Sequence, residues 1–190
     1  MTAIDQLDEL AKKHRCDKGN GVHSYIPTYR DLLGCINVRV LLEIGISGGA
    51  SLRMWEECFP KARIIGADIR PETLIKTDRI SSYYVDQSSS SSLFELGMQI
   101  EREVGRPDVI VDDGSHFPDH IATTADVLFP FLRPGGVYVI EDVPENSINL
   151  LLRMLPPQAT AIRGKTPQWV DDLIVIQKPC EDWRRFGYGE

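Results

Sequence analysis

Apolar runs recur along this chain with helix-patterned stretches between them, and that alternation restricts the possible folds more than any other feature. Val40-Leu41-Leu42-Glu43-Ile44 is the first run and ends in a glycine turn. Arg63 to Ile69 (RIIGADI) is the second, Tyr83-Tyr84-Val85 a shorter third, Asp108 to Val111 (DVIV) the fourth and Gly136 to Ile140 (GVYVI) the fifth. Uninterrupted apolar runs of this length suit parallel strands buried on both faces. Leu52, Trp55 and Phe59 fall at helical spacing between the first two. Ile121 to Leu132 reads as a helix between the fourth and fifth, with Pro118 near its start. Strand, helix, strand in repetition gives a doubly wound α/β sheet. The serine-rich stretch Ser88 to Ser92 reads as a solvated loop whose last serine opens a helix, because Ser92 with Glu95 fits a capping box.

The end of the chain breaks the alternation. Thr160-Ala161-Ile162 and Leu173-Ile174-Val175-Ile176 are separated by a polar stretch too short for a helical crossover, so they are expected to pair antiparallel. The expected fold is a mostly parallel seven-stranded, Rossmann-like sheet with helices on both faces and a C-terminal antiparallel hairpin, the form of a class I methyltransferase. A dinucleotide oxidoreductase would continue into a substrate domain, for which 190 residues leave no room. A single domain over residues 1–190 follows: an N-terminal helical or lid segment over 1–35, the core over 36–180 and a tail over 181–190.

Other classes are disfavoured by charge and hydropathy. The formal net charge is −7 and no basic face is visible, which argues against nucleic acid. No apolar run approaches the ~20 residues that span a bilayer. The start, MTAIDQLDELAKKH, is acidic and amphipathic rather than basic then apolar, so no secretion signal is expected. Cys16, Cys35, Cys58 and Cys180 show no metal spacing and read as reduced thiols, consistent with a cytoplasmic protein.

The chemistry-bearing residues cluster where strands end. Glu43-Ile44-Gly45-Ile46-Ser47-Gly48-Gly49 follows the first strand and precedes a helix; its small residues permit a tight turn and close approach of backbone to a ligand. Asp68 and Ile69 close the second strand, at the usual distance from the turn for a ribose-binding acid, and Asp86 with Gln87 closes the third. The turn lacks the third-glycine spacing of the dinucleotide fingerprint, so S-adenosylmethionine (SAM) is preferred to a nicotinamide cofactor. Asp112-Asp113-Gly114-Ser115-His116 ends the fourth strand and Glu141-Asp142 the fifth. On adjacent strands ~4.8 Å apart these acids repel one another unless a cation intervenes, and oxygen ligands suit Mg²⁺, Ca²⁺ or Mn²⁺. His116, beside that cluster, is a candidate general base, and His120 reads as a supporting residue on the next helix.

Together DKGNGVHSYIPTY, LLEIGISGGASLRMW, FPKARIIGADI, VDDGSH and LFPFLRPGGVYVIEDV resemble the metal-dependent sugar O-methyltransferases of the mycinamicin and macrocin type, from about Asp17 to Val143. The resemblance implies Asp113, Glu141 and Asp142 as metal ligands, most simply for Mg²⁺, and His116 as the base. It places Glu43, Gly45, Asp68, Asp86 and Gln87 in the SAM pocket, with Ser47, Gly49, Ile69 and Asp112 beside them and Asp112 not a metal ligand. The macrolide enzymes have an extra N-terminal domain, whereas this chain begins near the catalytic domain. Closure of the acceptor site is therefore expected from Lys18 to Tyr29 acting as a lid or packing arm, from loops, or from a second subunit of a homodimer.

The expected reaction is methyl transfer from SAM to a hydroxyl of a vicinal diol. The acceptor is a small-molecule sugar, a glycoside or the end of a polysaccharide, with the diol held by the metal and deprotonated by His116. A catechol O-methyltransferase with a similar carboxylate set, and a non-catalytic SAM-binding partner subunit, are the alternatives.

Overall fold

The computed structural model describes residues 3–19, 21–163 and 172–180. The C-terminal tail, 181–190, lies outside the described residues. Helices α1 (Leu7–His14) and α2 (Ile26–Leu33) precede an alternation of β1 (Val40–Ile44), α3 (Ala50–Cys58), β2 (Arg63–Asp68), β3 (Ile80–Tyr84), α4 (Ser90–Glu103), β4 (Val109–Asp112), α5 (Pro118–Leu128) and β5 (Val137–Ile140). Helix α6 (Glu145–Met154) leads to β6 (Ala159–Ile162) and β7 (Leu173–Gln177). The seven strands lie in the order β3-β2-β1-β4-β5-β7-β6. β1 to β5 pair parallel, and β7 is antiparallel to both β5 and β6, as the apolar pattern predicts. Among the described residues, no helix is long and apolar enough to cross a membrane.

Side-chain alternation divides each strand between two cores. Leu41, Ile64, Val109, Val111, Val137, Val139, Leu173 and Val175 pack with α1, α2 and α3, where Trp55 and Tyr29 are fully buried. Leu42, Ile65, Ile110, Tyr138, Ile140, Ile174 and Ile176 face α4, α5 and α6. The same parity sorts the acids. Glu43 falls on the face of Leu41. The ladder continues one residue past β4 and β5, with the Asp113 N–H donating to Ile44 and the Glu141 N–H to Asp112. Asp113 thus follows Val109 and Val111, and Glu141 follows Val137 and Val139, toward the N-terminal helices. Asp112 falls on the opposite face.

Local differences from the sequence reading have physical causes. β3 begins at Ile80 rather than Tyr83 because Ser81 and Ser82 pair through their backbones with Ile65 and Gly66, whatever their polarity. The cap of α4 is Ser89, not Ser92: the Ser92 N–H donates to the Ser89 hydroxyl at 3.3 Å, while the Ser92 hydroxyl accepts from the Asp86 N–H. α5 stops at Leu128, and Pro130 sits in a short 3₁₀ turn after it.

Where β1 ends, Gly45 has φ of 83°, and a Cβ built on it would lie 2.0 Å from the Asp113 carbonyl oxygen. The β1 and β4 loops are therefore in backbone contact. Gly45→Ala should destabilise the protein by about 2–4 kcal/mol, combining an overpacked contact with a strained backbone. Gly48→Ala, whose new methyl meets nothing within 4 Å, should stay within about 0.5 kcal/mol of wild type. Urea titration of both variants checks the contrast.

Candidate active site

A cleft of about 460 Å³ opens at the carboxyl ends of β1 to β5, the edge where ligands of open α/β sheets bind. Gly45, Ser47, Asp68, Ile69, Asp86 and Gln87 line one part of it; Asp113, His116, His120 and Asp142 line another. The cofactor-type residues and the acid–histidine residues read from sequence thus share one cavity. Glu43, Gly49, Asp112 and Glu141 do not line it. Gly49, at φ 74°, is the turn residue from which α3 starts.

The loops after β1 to β3 are held by their own acids. Asp68 Oδ2 accepts from the N–H groups of Ile46 and Ser47 at 3.0 and 3.2 Å, and its Oδ1 accepts from the Arg70 N–H at 2.9 Å. Burial works against the Asp68 charge, but these amides outweigh it and hold its carboxyl below the usual range. Asp86 accepts the Ser88 N–H and hydroxyl at 2.9 and 2.6 Å, closing a local turn. Gln87 spans two layers. Its amide donates to Asp112 Oδ1 at 2.6 Å and its carbonyl accepts from the Ser115 N–H at 2.8 Å. Asp112 also accepts from the Tyr138 hydroxyl, and burial pushes it up to about 7. Its place on the α4–α6 face makes it a clamp under the β4 loop.

On the other face the acids form two layers. Glu43 and Glu141 are sealed in, at 0% and 1% exposure. Asp113 and Asp142 face the cleft, with side chains 23% and 25% exposed. The N-terminal segment supplies the inner layer's partners. Lys18 Nζ lies 3.0 Å from Glu43 Oε1, 2.8 Å from Asp113 Oδ2 and 2.6 Å from Glu141 Oε2. The Tyr29 hydroxyl donates to Glu141 Oε1 and the Tyr25 hydroxyl to Asp142 Oδ1. His23 stacks on Tyr25, with its Nδ1 3.5 Å from Asp142. Lys18, Tyr25 and Tyr29 are all at most 2% exposed, so this segment is the packed inner wall of the acid cluster.

Asp113, His116 and Asp142 each turn a ligand-type atom toward the others, within 4.8 Å of one another, and His116 Nε2 is 4.0 Å from Asp142 Oδ2. Both His116 (φ 56°) and Asp142 (φ 51°) hold left-handed backbone conformations that ordinary side chains avoid. Ser115 Oγ lies 2.9 Å from His120 Nδ1, on the first turn of α5. Burial raises the carboxyls of Glu43, Glu141 and Asp142 above the usual range, with Asp113 raising each further and Lys18 opposing the rise at Glu43 and Glu141. One ammonium is too little positive charge for this many carboxylates. Two carboxylates on a cleft wall, with an imidazole beside them and excess negative charge behind them, offer oxygen ligands that fit a divalent cation.

No family model matches the chain. Curated relatives do. Demethylmacrocin O-methyltransferase of Streptomyces fradiae is 37% identical over 151 residues, 75% of this chain and 37% of the relative. Mycinamicin VI 2''-O-methyltransferase of Micromonospora griseorubida is 38% identical over 146 residues, 72% of this chain and 36% of the relative. The chain therefore spans little more than a third of the length of the curated relatives it matches. Among solved structures, the methyltransferase MycE of the mycinamycin biosynthetic pathway, in complex with Mg, S-adenosylhomocysteine (SAH) and mycinamycin VI, superposes with a TM-score of 0.73 at 29% identity, over 94% of this chain and 54% of that one. A putative caffeoyl-CoA O-methyltransferase from Staphylococcus aureus has the same fold at 12% identity, with a TM-score of 0.58 over 93% of each chain. The chain has the class I methyltransferase fold, and the resemblance to mycinamicin- and macrocin-type O-methyltransferases read from its motifs holds over about three-quarters of its length.

Proposed function

We propose that this chain transfers a methyl group from SAM to a hydroxyl of a sugar-bearing small molecule, with a divalent cation, most simply Mg²⁺, at Asp113 and Asp142. The observation that carries the reading is the convergence of Asp113, His116 and Asp142 on the wall of the same cleft that the Gly45 turn, Asp68 and Asp86 line. When bound, SAM supplies a methyl group already activated by its sulfonium, and the cation supplies a Lewis acid that makes a bound hydroxyl more acidic. A vicinal diol suits such a site because two oxygens can meet one cation.

The protein's own residues do the rest. The Gly45 turn and Asp68 shape the adenosyl end of the cleft, with Asp68 as acceptor for the ribose hydroxyls. Hard cations prefer oxygen, so Asp113 and Asp142 would hold the ion and His116 would remain for proton transfer. Glu141, the third acid expected at the ion, stands behind Asp113, held by Lys18 and Tyr29. His116 accepts the hydroxyl proton at an imidazole nitrogen while the oxygen–methyl bond forms and the methyl–sulfur bond breaks. SAH is left behind.

Labelled SAM offered with a panel of glycosides, with and without chelator, tests the assignment. Transfer should stop with EDTA and return with Mg²⁺ or Mn²⁺; full transfer in metal-free buffer would remove the cation from the reaction. His116→Ala should slow the methyl-transfer step by roughly 10²–10⁴-fold, the range for a positioned base. Its Mn²⁺ affinity, read by calorimetry, should stay near wild type; a parallel loss of metal would make His116 a ligand instead.

The raised carboxyls also set a pH dependence. In the metal-free protein the folded state binds more protons than the unfolded chain between the ordinary carboxylate range and the raised values. Stability should therefore fall as pH rises from ~4 toward neutrality. A divalent cation displaces those protons, so added Mg²⁺ should lessen the fall and bind more tightly at higher pH. Thermal melts across pH, with EDTA or with Mg²⁺, should diverge as pH rises; superposable curves would contradict the site.

A further inference from the structure

Lys18 is the one cation among the described residues that lies inside the acid cluster, and the reaction above gives it no step. It sits between α1 and α2, 1% exposed, and reaches the ends of three neighbouring strands: Glu43 on β1, Asp113 after β4 and Glu141 after β5. Its ammonium donates hydrogen bonds to Asp113 Oδ2 and Glu141 Oε2 and stands at ion-pair distance, 3.0 Å, from Glu43 Oε1. Its backbone is fixed as well, the Lys18 carbonyl accepting from the Tyr25 N–H at 3.1 Å. The consequences differ by layer. Glu141 is engaged at both oxygens, by Lys18 at Oε2 and Tyr29 at Oε1. Asp113 is engaged by Lys18 at Oδ2 alone, which fixes the carboxylate plane and leaves its other oxygen to the cleft.

We propose that Lys18 is a positioning residue: a resident monovalent cation that fills the inner acid layer, orients Asp113, and so confines the divalent ion to a single outer position beside Asp142. The inference rests on the proposed metal site and deepens it. A solvated ion entering the inner layer would have to displace an ammonium held by three carboxylates. The outer layer has no such occupant. The chain therefore takes one divalent ion, and Lys18 acts on it through Asp113 without touching it.

Mn²⁺ titration followed by electron paramagnetic resonance is the test. The wild type should bind one Mn²⁺ per chain. Lys18→Met alone leaves buried carboxylates uncompensated and is expected to unfold or to fold only with divalent ion. The double variant K18M/E43Q removes one charge of each sign; it should keep a folded circular dichroism spectrum at a Tm below wild type, because Asp113 and Glu141 still lose their ammonium, and binding is measured below that Tm. It should nonetheless bind Mn²⁺ at least ~10-fold more weakly, or bind a second ion in the emptied inner layer. Glu43→Gln alone, which keeps Lys18, should retain wild-type Mn²⁺ affinity. If the double variant binds one Mn²⁺ as tightly as wild type, or if Glu43→Gln loses as much as the double, Lys18 does not position the site. If wild type binds no Mn²⁺, the metal reading itself falls, and this inference with it. A measurement on the unmutated protein stands apart from folding: the ¹H–¹⁵N resonance of the Lys18 ammonium should shift but persist on adding Mg²⁺. Its loss to solvent exchange would mean that the ion displaces the lysine, which overturns the proposal.

Discussion

Four carboxylates from three adjacent strand ends crowd one side of a sheet edge, and a single buried ammonium stands among them. Most of the functional architecture answers to that imbalance. Isolated charges do not survive burial, so Glu43 and Glu141 are tolerable only because Lys18 and Tyr29 reach them. Lys18 comes from the link between α1 and α2, and Tyr29 from α2 itself. The remaining excess falls on Asp113 and Asp142, the two acids left in contact with the cleft. Charge, rather than shape alone, thus decides which carboxylates are structural and which are available.

The loops after β1 to β3 are organised by hydrogen bonds instead. Asp68 gathers the amides of the Gly45 turn, and Gln87 ties Asp112 to the Ser115 loop. Gly45 lies against the Asp113 backbone with no room for a side chain, and Gly114 lies against the Gln87 side chain. The loops that bound the two halves of the cleft are pressed together at main-chain level. A displacement at the cofactor turn must be felt at the acid loop.

Much of this was legible in the residues. Uninterrupted apolar runs announce buried parallel strands, and the short polar link before Leu173 announces the antiparallel finish. The acids at strand ends announce a ligand edge. Parity along the strands even contains the separation of Asp112 from Asp113, since alternate residues face opposite layers. What the sequence leaves undetermined is depth. Nothing local to Glu141 says that it lies behind Asp113 rather than beside it, because that depends on Lys18, 123 positions away. The segment from Lys18 to Tyr29 reads equally well as a lid or an arm, since aromatic and basic residues serve either. Four neighbouring acids are the signal that a buried counter-charge was required, and Lys18 was the available candidate. The cap at Ser89 is a smaller case: several serines in succession satisfy the same local rule, and the Asp86 turn chooses among them.

His116 and Asp142 both sit in left-handed backbone conformations at positions where neither is glycine. Each such conformation costs about 1 kcal/mol relative to one that an ordinary residue prefers, less for residues such as Asp and His that tolerate it. Glycine would relax both positions. Selection for thermostability alone would therefore drift toward replacing two side chains that line the cleft beside Asp113. On the proposed reading, a stability-guided redesign of this scaffold would hold His116 and Asp142 fixed, because relaxing the backbone there removes the side chains that converge with Asp113.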